Sequence, residues 1–210
     1  MMQNYQIWLD KELDRLVSSN AKPRLLLHAC CAPCSSYVLE YLNQYFDITI
    51  LFYNPNISPA SEFTFRAEEL DRLIHEMPLT APVRLHIADY NPEEFYNIAK
   101  GLEHLPEGGE RCTICYRLRL EETARMAKDG GYDYFTTTLS ISPLKDAQRL
   151  NSIGEELSKQ YGVPYLYSDF KKREGYKRSI QLSADHHLYR QDYCGCIYSK
   201  RDAENRKKQV

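Results

Sequence analysis

Apolar positions along the chain switch repeatedly between the helical and the strand period. Over 8–17 the residues Trp8, Leu9, Leu13, Leu16 and Val17 form one stripe of a helix, which Asn20-Ala21-Lys22-Pro23 ends. The short apolar run over 24–29, between a proline and the first cysteines, predicts a buried strand. A helix is expected over 35–45, with Val38, Leu39, Leu42 and Tyr45 on one side. The β-branched and aromatic residues over 47–53 predict a second strand, stopped by Asn54-Pro55-Asn56. Amphipathic, charge-laced sequence over 63–76 reads as a helix, 83–88 as a third strand, and 92–100 as a helix opened by Pro92 in its first turn. The Pro/Gly stretch over 101–109 is a loop delivering Arg111 and Cys112. A helix over 116–128, a fourth strand over 134–139, a helix over 145–160 and a fifth strand over 163–167 follow, before polar, partly helical sequence to the end.

Strands alternating with helices of about 10–15 residues build βαβ units around a mainly parallel sheet. The expected fold class is therefore α/β, one domain over 1–210 with a five-stranded sheet. It comprises an N-terminal helix in 1–22, a βαβ core over 24–168, and a segment over 169–210 that folds back carrying Cys194 and Cys196. A length of 210 residues is enough to bury one core, and 43% hydrophobic with 27% charged residues is ordinary for a soluble globular chain. No apolar stretch approaches the roughly 20 residues that cross a bilayer, so no membrane partner is expected. A net charge of -2 excludes a surface coated in basic residues, leaving any nucleic-acid contact to a local patch.

Cysteine usage changes the picture most. Seven cysteines fall in three tight groups: Cys30-Cys31-x-x-Cys34, Cys112-x-x-Cys115 and Cys194-Gly195-Cys196. Such spacing suits soft-metal ligation or dithiol redox chemistry, because both need thiolates within a few ångströms of each other. The odd count, and residues 1–10 without a charged and then apolar leader, argue against a secreted disulfide framework and for a cytoplasmic setting. Taken singly, Cys112 and Cys115 suit a zinc half-site, a redox dithiol or a cluster half-site. Adjacent Cys30 and Cys31 are unusual for zinc, and Cys194-Gly195-Cys196 admits a strained disulfide of oxidising potential. Sites in open α/β sheets form outside the carboxyl ends of the strands. That brings the cysteines after the first strand together with Asp89 at the end of the third and Thr136-Thr137-Thr138-Leu139-Ser140 at the end of the fourth. A helix starting near Ser35 would aim its N–H groups at Cys34 and lower its pKa.

The motifs Cys30-Cys31-Ala32-Pro33-Cys34, Tyr53-Asn54-Pro55-Asn56-Ile57, Glu110-Arg111-Cys112-x-x-Cys115-Tyr116-x-Leu118-Arg119-Leu120 and Tyr189-Arg190-Gln191-Asp192-Tyr193-Cys194-Gly195-Cys196 are specific as a set. With Thr136-Thr137-Thr138-Leu139, Ser142-Pro143, Lys145 and Asp169-Phe170-Lys171-Lys172, the chain resembles the cobalamin-independent epoxyqueuosine reductase family (QueH) from about Leu26 to Ser199. The resemblance implies a Rossmann-like, nucleotide-alpha-hydrolase-like domain that reduces epoxyqueuosine to queuosine at the wobble position of tRNA. It also implies a [4Fe–4S] cluster on Cys30, Cys31, Cys112 and Cys115, and a redox-active disulfide between Cys194 and Cys196.

Turning an epoxide into an alkene takes two electrons and two protons and releases water, so a thiol pair or a metal cluster is required. After a cluster takes four thiolates, Cys34, Cys194 and Cys196 remain. With Asp89 or Asp192 they form either a second metal site, for an adjacent mononuclear iron, or an electron relay fed by a donor that the chain itself does not identify. Tyr189, Tyr193 and His28 lie beside cysteines in sequence; His28 reads as a hydrogen-bonded core residue, and His186-His187 as a solvated helix end. For tRNA, Lys171, Lys172 and Arg173, with Lys177, Arg178 and Arg190, make a basic strip leading to the last cysteines. The tail of Lys200, Arg201, Arg206, Lys207 and Lys208 reads as a solvated terminus. An ATP-activating enzyme is disfavoured because the segment after the first strand has no glycine to cradle a phosphate. A zinc-stabilised RNA-binding module and a thiol-disulfide oxidoreductase are the remaining alternatives.

Overall fold

The computed structural model describes residues 3–208; the first two and last two residues of the domain expected over 1–210 lie outside them. In chain order the elements are α1 (Tyr5–Ser18), β1 (Arg24–His28), α2 (Ala32–Leu42), β2 (Asp47–Phe52), α3 (Ala60–Glu76), β3 (Arg84–Ile87), α4 (Pro92–Ala99), α5 (Glu110–Asp129), β4 (Tyr134–Thr137), α6 (Ala147–Tyr161), α7 (Gly175–Asp185) and α8 (Ile197–Lys208). The strands form a fully parallel sheet in the order β3-β2-β1-β4.

β1 and β2 read as unbroken apolar runs because helices cover both faces of a parallel sheet. Successive side chains point to opposite faces, so Leu25 and Leu27 join Leu9, Val38 and Leu70 in one core layer, while Leu26 joins Leu120, Phe135 and Leu150 in the other. Each such fully buried Leu contributes about 1.5–3 kcal/mol relative to exposure. β3 closes one edge with exposed Arg84 and His86, charged or polar residues that discourage edge-to-edge pairing.

The sheet has four strands, not five. Residues 163–167 make only one isolated bridge, Tyr165 to Phe135. Pro164 accepts from Phe135 N at 3.1 Å but has no N–H to give back, so the ladder does not extend. Four helices, α1, α2, α3 and α5, start earlier than expected, and two of these shifts bear on the cysteines. α2 begins at Ala32 because Pro33 suits a first turn, which leaves Cys31 as N-cap and carries Cys34 into the helix. α5 begins at Glu110 behind Gly109, with an acidic residue in its first turn, so Cys112 and Cys115 are helical rather than delivered by a loop. β4 stops at Thr137, whose hydroxyl accepts from Leu139 N at 3.1 Å and opens a 3-10 turn over Thr138–Ile141.

Strand order reverses at β1. Its neighbours are β2 on one side and β4 on the other, and a crevice opens beyond the carboxyl ends of β1 and β4.

Candidate functional site

The chain leaving β1 is fixed by Ala29 N donating to Leu51 O at 3.0 Å and by Asn54 Nδ2 donating to Ala29 O at 2.8 Å. This presents Cys30, Cys31 and Cys34 with their sulfurs all within 4.8 Å of one another, and Cys30 and Cys31 3.7 Å apart. Hydrogen bonds from Cys30 and Cys34 hold the Cys31 thiol well below its usual pKa. Its contacts with Cys30 and Cys31, with burial, push Cys34 well above its own. The expected lowering of Cys34 by the helix terminus is therefore reversed: within a packed trio one thiolate forms first, and it is the N-cap residue that carries it.

A second cleft opens beside this trio, lined by Cys112, Cys115, Cys194, Cys196, Arg111 and Arg119. The first turns of α5 supply Cys112, whose sulfur accepts from Gly108 N at 3.2 Å, and Cys115, which burial pushes up to about 12. Cys194 and Cys196 are brought in by a chain pinned at two backbone points. Ser58 N donates to Gly195 O at 3.0 Å, and Arg66 Nη1 donates to Cys194 O at 3.1 Å. The two do not form the expected disulfide; all seven cysteines are free thiols. Cys196 is turned toward the start of α8, where its sulfur accepts from Ser199 N at 3.3 Å, whereas Cys194 also faces a larger cavity.

Gly195 has a φ of +123°, and a Cβ there would stand 3.0 Å from Ile57 and 3.1 Å from the Arg66 guanidinium. Gly195→Ala is expected to destabilise the fold by about 1–3 kcal/mol, read as a lower urea midpoint with an unchanged slope.

The larger cavity, of about 230 Å³, is lined by Cys30, Cys34, Cys194, Lys145, Tyr176 and Tyr193 among others, so Cys194 belongs to both spaces. Lys145 is 7% exposed, and its ammonium donates to Glu107 at 3.3 Å. Burial works against its charge, but the Cys194 thiol, Tyr116 and Glu107 outweigh it and raise its pKa well above the usual lysine range.

Cations are buried around these thiols. Arg66, Arg111 and Arg119 are each 1% exposed. Arg66 pairs with Glu62 at 2.7 Å. Arg111 donates to the carbonyls of Leu102, Glu103 and Leu105, while its Nε lacks a partner. Arg119 donates once, from Nε to Cys115 O at 3.2 Å, and both its Nη groups are buried without a partner. A donor set of clustered thiols facing orphaned guanidinium N–H groups fits a thiolate-ligated, anionic metal group.

Other expected residues fall as follows. Asp89 is exposed beyond β3 and lines neither cavity, whereas Asp192 lines the larger one and pairs with Lys207. His28 is a core residue, held between Thr137 Oγ1 at 2.9 Å and Tyr53 O at 3.1 Å, and burial lowers its pKa to about 3. His186 caps α7 and stands 3.7 Å from Glu76, with no role shared with His187. Of the basic strip, Lys171 is spent inside the protein on Ser140 O, Lys145 O and Asp169. Arg173 pairs with Asp10 at 2.5 Å, Lys172 is exposed, and Arg190 lies at the cavity beside Tyr176. Sequence reasoning missed Arg119 and Arg66 as site residues. The signal for Arg119 was available: four positions after Cys115, it lies on the same helical face.

A model of the family described as epoxyqueuosine reductase QueH matches residues 25–202. Among similar proteins, the epoxyqueuosine reductase QueH of Staphylococcus epidermidis is 45% identical over 206 residues, covering 94% of this chain and 87% of the relative. That of Streptococcus pyogenes serotype M1 is 43% identical, covering 95% and 76%. The Thermotoga maritima protein of the same name is 35% identical, covering 83% and 89%.

Proposed function

This chain belongs to the epoxyqueuosine reductase QueH family, and we propose that it reduces epoxyqueuosine in tRNA to queuosine at the thiol-lined crevice beyond β1 and β4. The carrying observation is that six cysteines line two adjoining spaces that share Cys194, with Cys31 packed against Cys30 and Cys34, beside a buried Arg119 that no carboxylate among the described residues pairs with. Cys30, Cys31, Cys112 and Cys115 would hold a [4Fe–4S] cluster. When bound, that cluster supplies low-potential single electrons.

Cys34, Cys194 and Cys196, with Asp192, are left as thiols and carboxylate for an adjacent mononuclear iron or for relaying electrons from a redox partner. The three-way proximity of Cys30, Cys31 and Cys34 supports a second ligand set, in which Cys34 enters the cluster. We read the α/β sheet as nucleotide-alpha-hydrolase-like, and we assign the reaction to the cytoplasm, where thiols stay reduced. Among the described residues no helix is long and apolar enough to cross a membrane.

The larger cavity receives the modified base. Two electrons and two protons convert the epoxide to the alkene, and the epoxide oxygen leaves as water. Lys145 holds a fixed positive charge in that cavity, where negative charge develops on the oxygen as the C–O bond breaks. Tyr176, with the Arg190 guanidinium 5.8 Å over its ring, offers a stacking face at the cavity wall.

The decisive experiment is to count iron, zinc and acid-labile sulfide on protein purified without oxygen, and then to assay epoxyqueuosine-tRNA. Iron and sulfide near four each, with conversion to queuosine, are expected. Zinc near one without sulfide would favour a zinc-stabilised RNA-binding module. Phosphate contacts position the tRNA, and Lys172 and Arg190 are the best placed of the basic strip to make them. Lys172→Ala and Arg190→Ala are each expected to reduce the slope of log K against log salt by about 1, measured by filter binding across a salt series.

A further inference from the structure

A guanidinium cannot shed its charge in a protein, and burying one without an anion costs several kcal/mol. Arg66 and Arg111 meet that demand in part within the chain, through Glu62 and through three backbone carbonyls with Asp202 at 4.0 Å. Arg119 does not. Its two Nη groups are buried in the thiol cleft, and no carboxylate pairs with it among the described residues. Its Nε is spent on Cys115 O, which anchors the base of the side chain to its own helix and fixes where the fork projects. Cys115, Cys194, Cys30 and Tyr116 are the ionisable groups close enough to act on its charge, so it stands where the thiols beside α2, of α5 and of the C-terminal segment meet.

We infer that Arg119 is a cluster-binding residue, its two free Nη groups donating charge-assisted hydrogen bonds to the thiolate and sulfide sulfurs of the metal group held where these thiols meet. The inference rests on the cluster reading above and adds a role for a residue that ligates nothing. Hydrogen bonds to cluster sulfurs and nearby positive charge both favour the reduced, more negative state. Arg119 therefore raises the reduction potential, and the negative group in turn offsets a guanidinium charge that no carboxylate among the described residues matches.

The test compares the wild-type protein with Arg119→Met and Arg119→Lys, loaded under nitrogen, with iron and sulfide counted and the potential read by EPR-monitored titration. Arg119→Met is expected to hold iron and sulfide at the wild-type ratio. Its reduction equilibrium constant should fall at least tenfold, a downward shift of about 59 mV for a one-electron couple, with Arg119→Lys in between. A loaded Arg119→Met protein at the wild-type potential would overturn the inference and leave the cluster reading intact. A wild-type protein without sulfide would remove the cluster reading itself.

Should Arg119→Met fail to load, Arg119→Lys decides, its lowered potential supporting the inference and a wild-type potential overturning it. The wild-type protein gives an independent readout. Its Fe–S Raman bands are expected to shift between H₂O and D₂O, and to shift less in Arg119→Lys; no isotope shift would overturn the hydrogen bonds.

Discussion

Cys31→Ser is expected to strip the protein of most of its iron and acid-labile sulfide and to lower epoxyqueuosine reduction by more than 100-fold. Loss even of outer-shell partners costs about 10–100-fold in metal affinity or activity, and loss of a ligand costs more. Cys31 is the sharpest choice of the seven. It is 1% exposed, caps α2, and carries the thiol whose pKa its neighbours lower most clearly. A serine there keeps the size and suits the N-cap position, where Cys31 makes no side-chain capping bond, but offers metal a far poorer ligand.

The full cysteine series separates the two ligand sets. With the cluster on Cys30, Cys31, Cys112 and Cys115, serine at any of these removes iron and sulfide together. Serine at Cys34, Cys194 or Cys196 then leaves sulfide near four per chain while turnover falls. If Cys34→Ser also loses sulfide, the trio at the start of α2 supplies three ligands, and one of Cys112 and Cys115 is released for the thiol chemistry. Iron and sulfide counts beside a nucleoside digest of the tRNA make the distinction without relying on activity alone.

Much of this arrangement could be read in the chain beforehand, because apolar period is a property of sequence and burial in a parallel sheet follows from it. The apolar runs of β1 and β2 and the stripe of α6 carried their assignments directly. What failed depended on single residues acting through tertiary geometry. Pro164 ended a ladder that the apolar residues around it invited, and Gly109 with Glu110 started α5 six residues early. The cysteine spacings announced soft-ligand chemistry, but a spacing cannot say which groups fold side by side. Cys115 and Cys194 are 79 positions apart and line one cleft because Arg66 and Ser58 hold the backbone around Gly195. The basic strip misled in another way. Lys171 looks like a phosphate contact in sequence, yet its ammonium is consumed in bracing the turn that carries Lys145.

That turn leads to the second large effect. Lys145→Met is expected to lower kcat for epoxyqueuosine reduction by about 10²–10³-fold, the usual result of removing one preorganised donor from a developing oxyanion, with little change in KM. The residue is held at three points: Lys145 N donates to Ser142 O at 3.1 Å and Lys171 donates to Lys145 O at 3.2 Å, fixing the backbone, and Glu107 accepts from the ammonium. Such a charge needs no reorganisation as the C–O bond breaks. The same substitution leaves Glu107, a 10% exposed carboxylate, with only Arg206 at 4.0 Å, and breaking a buried pair costs up to about 3–5 kcal/mol. Lost turnover therefore has to be separated from lost fold. The double variant Lys145→Met with Glu107→Gln removes the stranded charge and is expected to recover most of the urea midpoint. If turnover stays low in that restored protein, the ammonium acts on the reaction. If turnover recovers along with stability, Lys145 serves only to neutralise Glu107, and the oxyanion must find its positive charge elsewhere in the cavity.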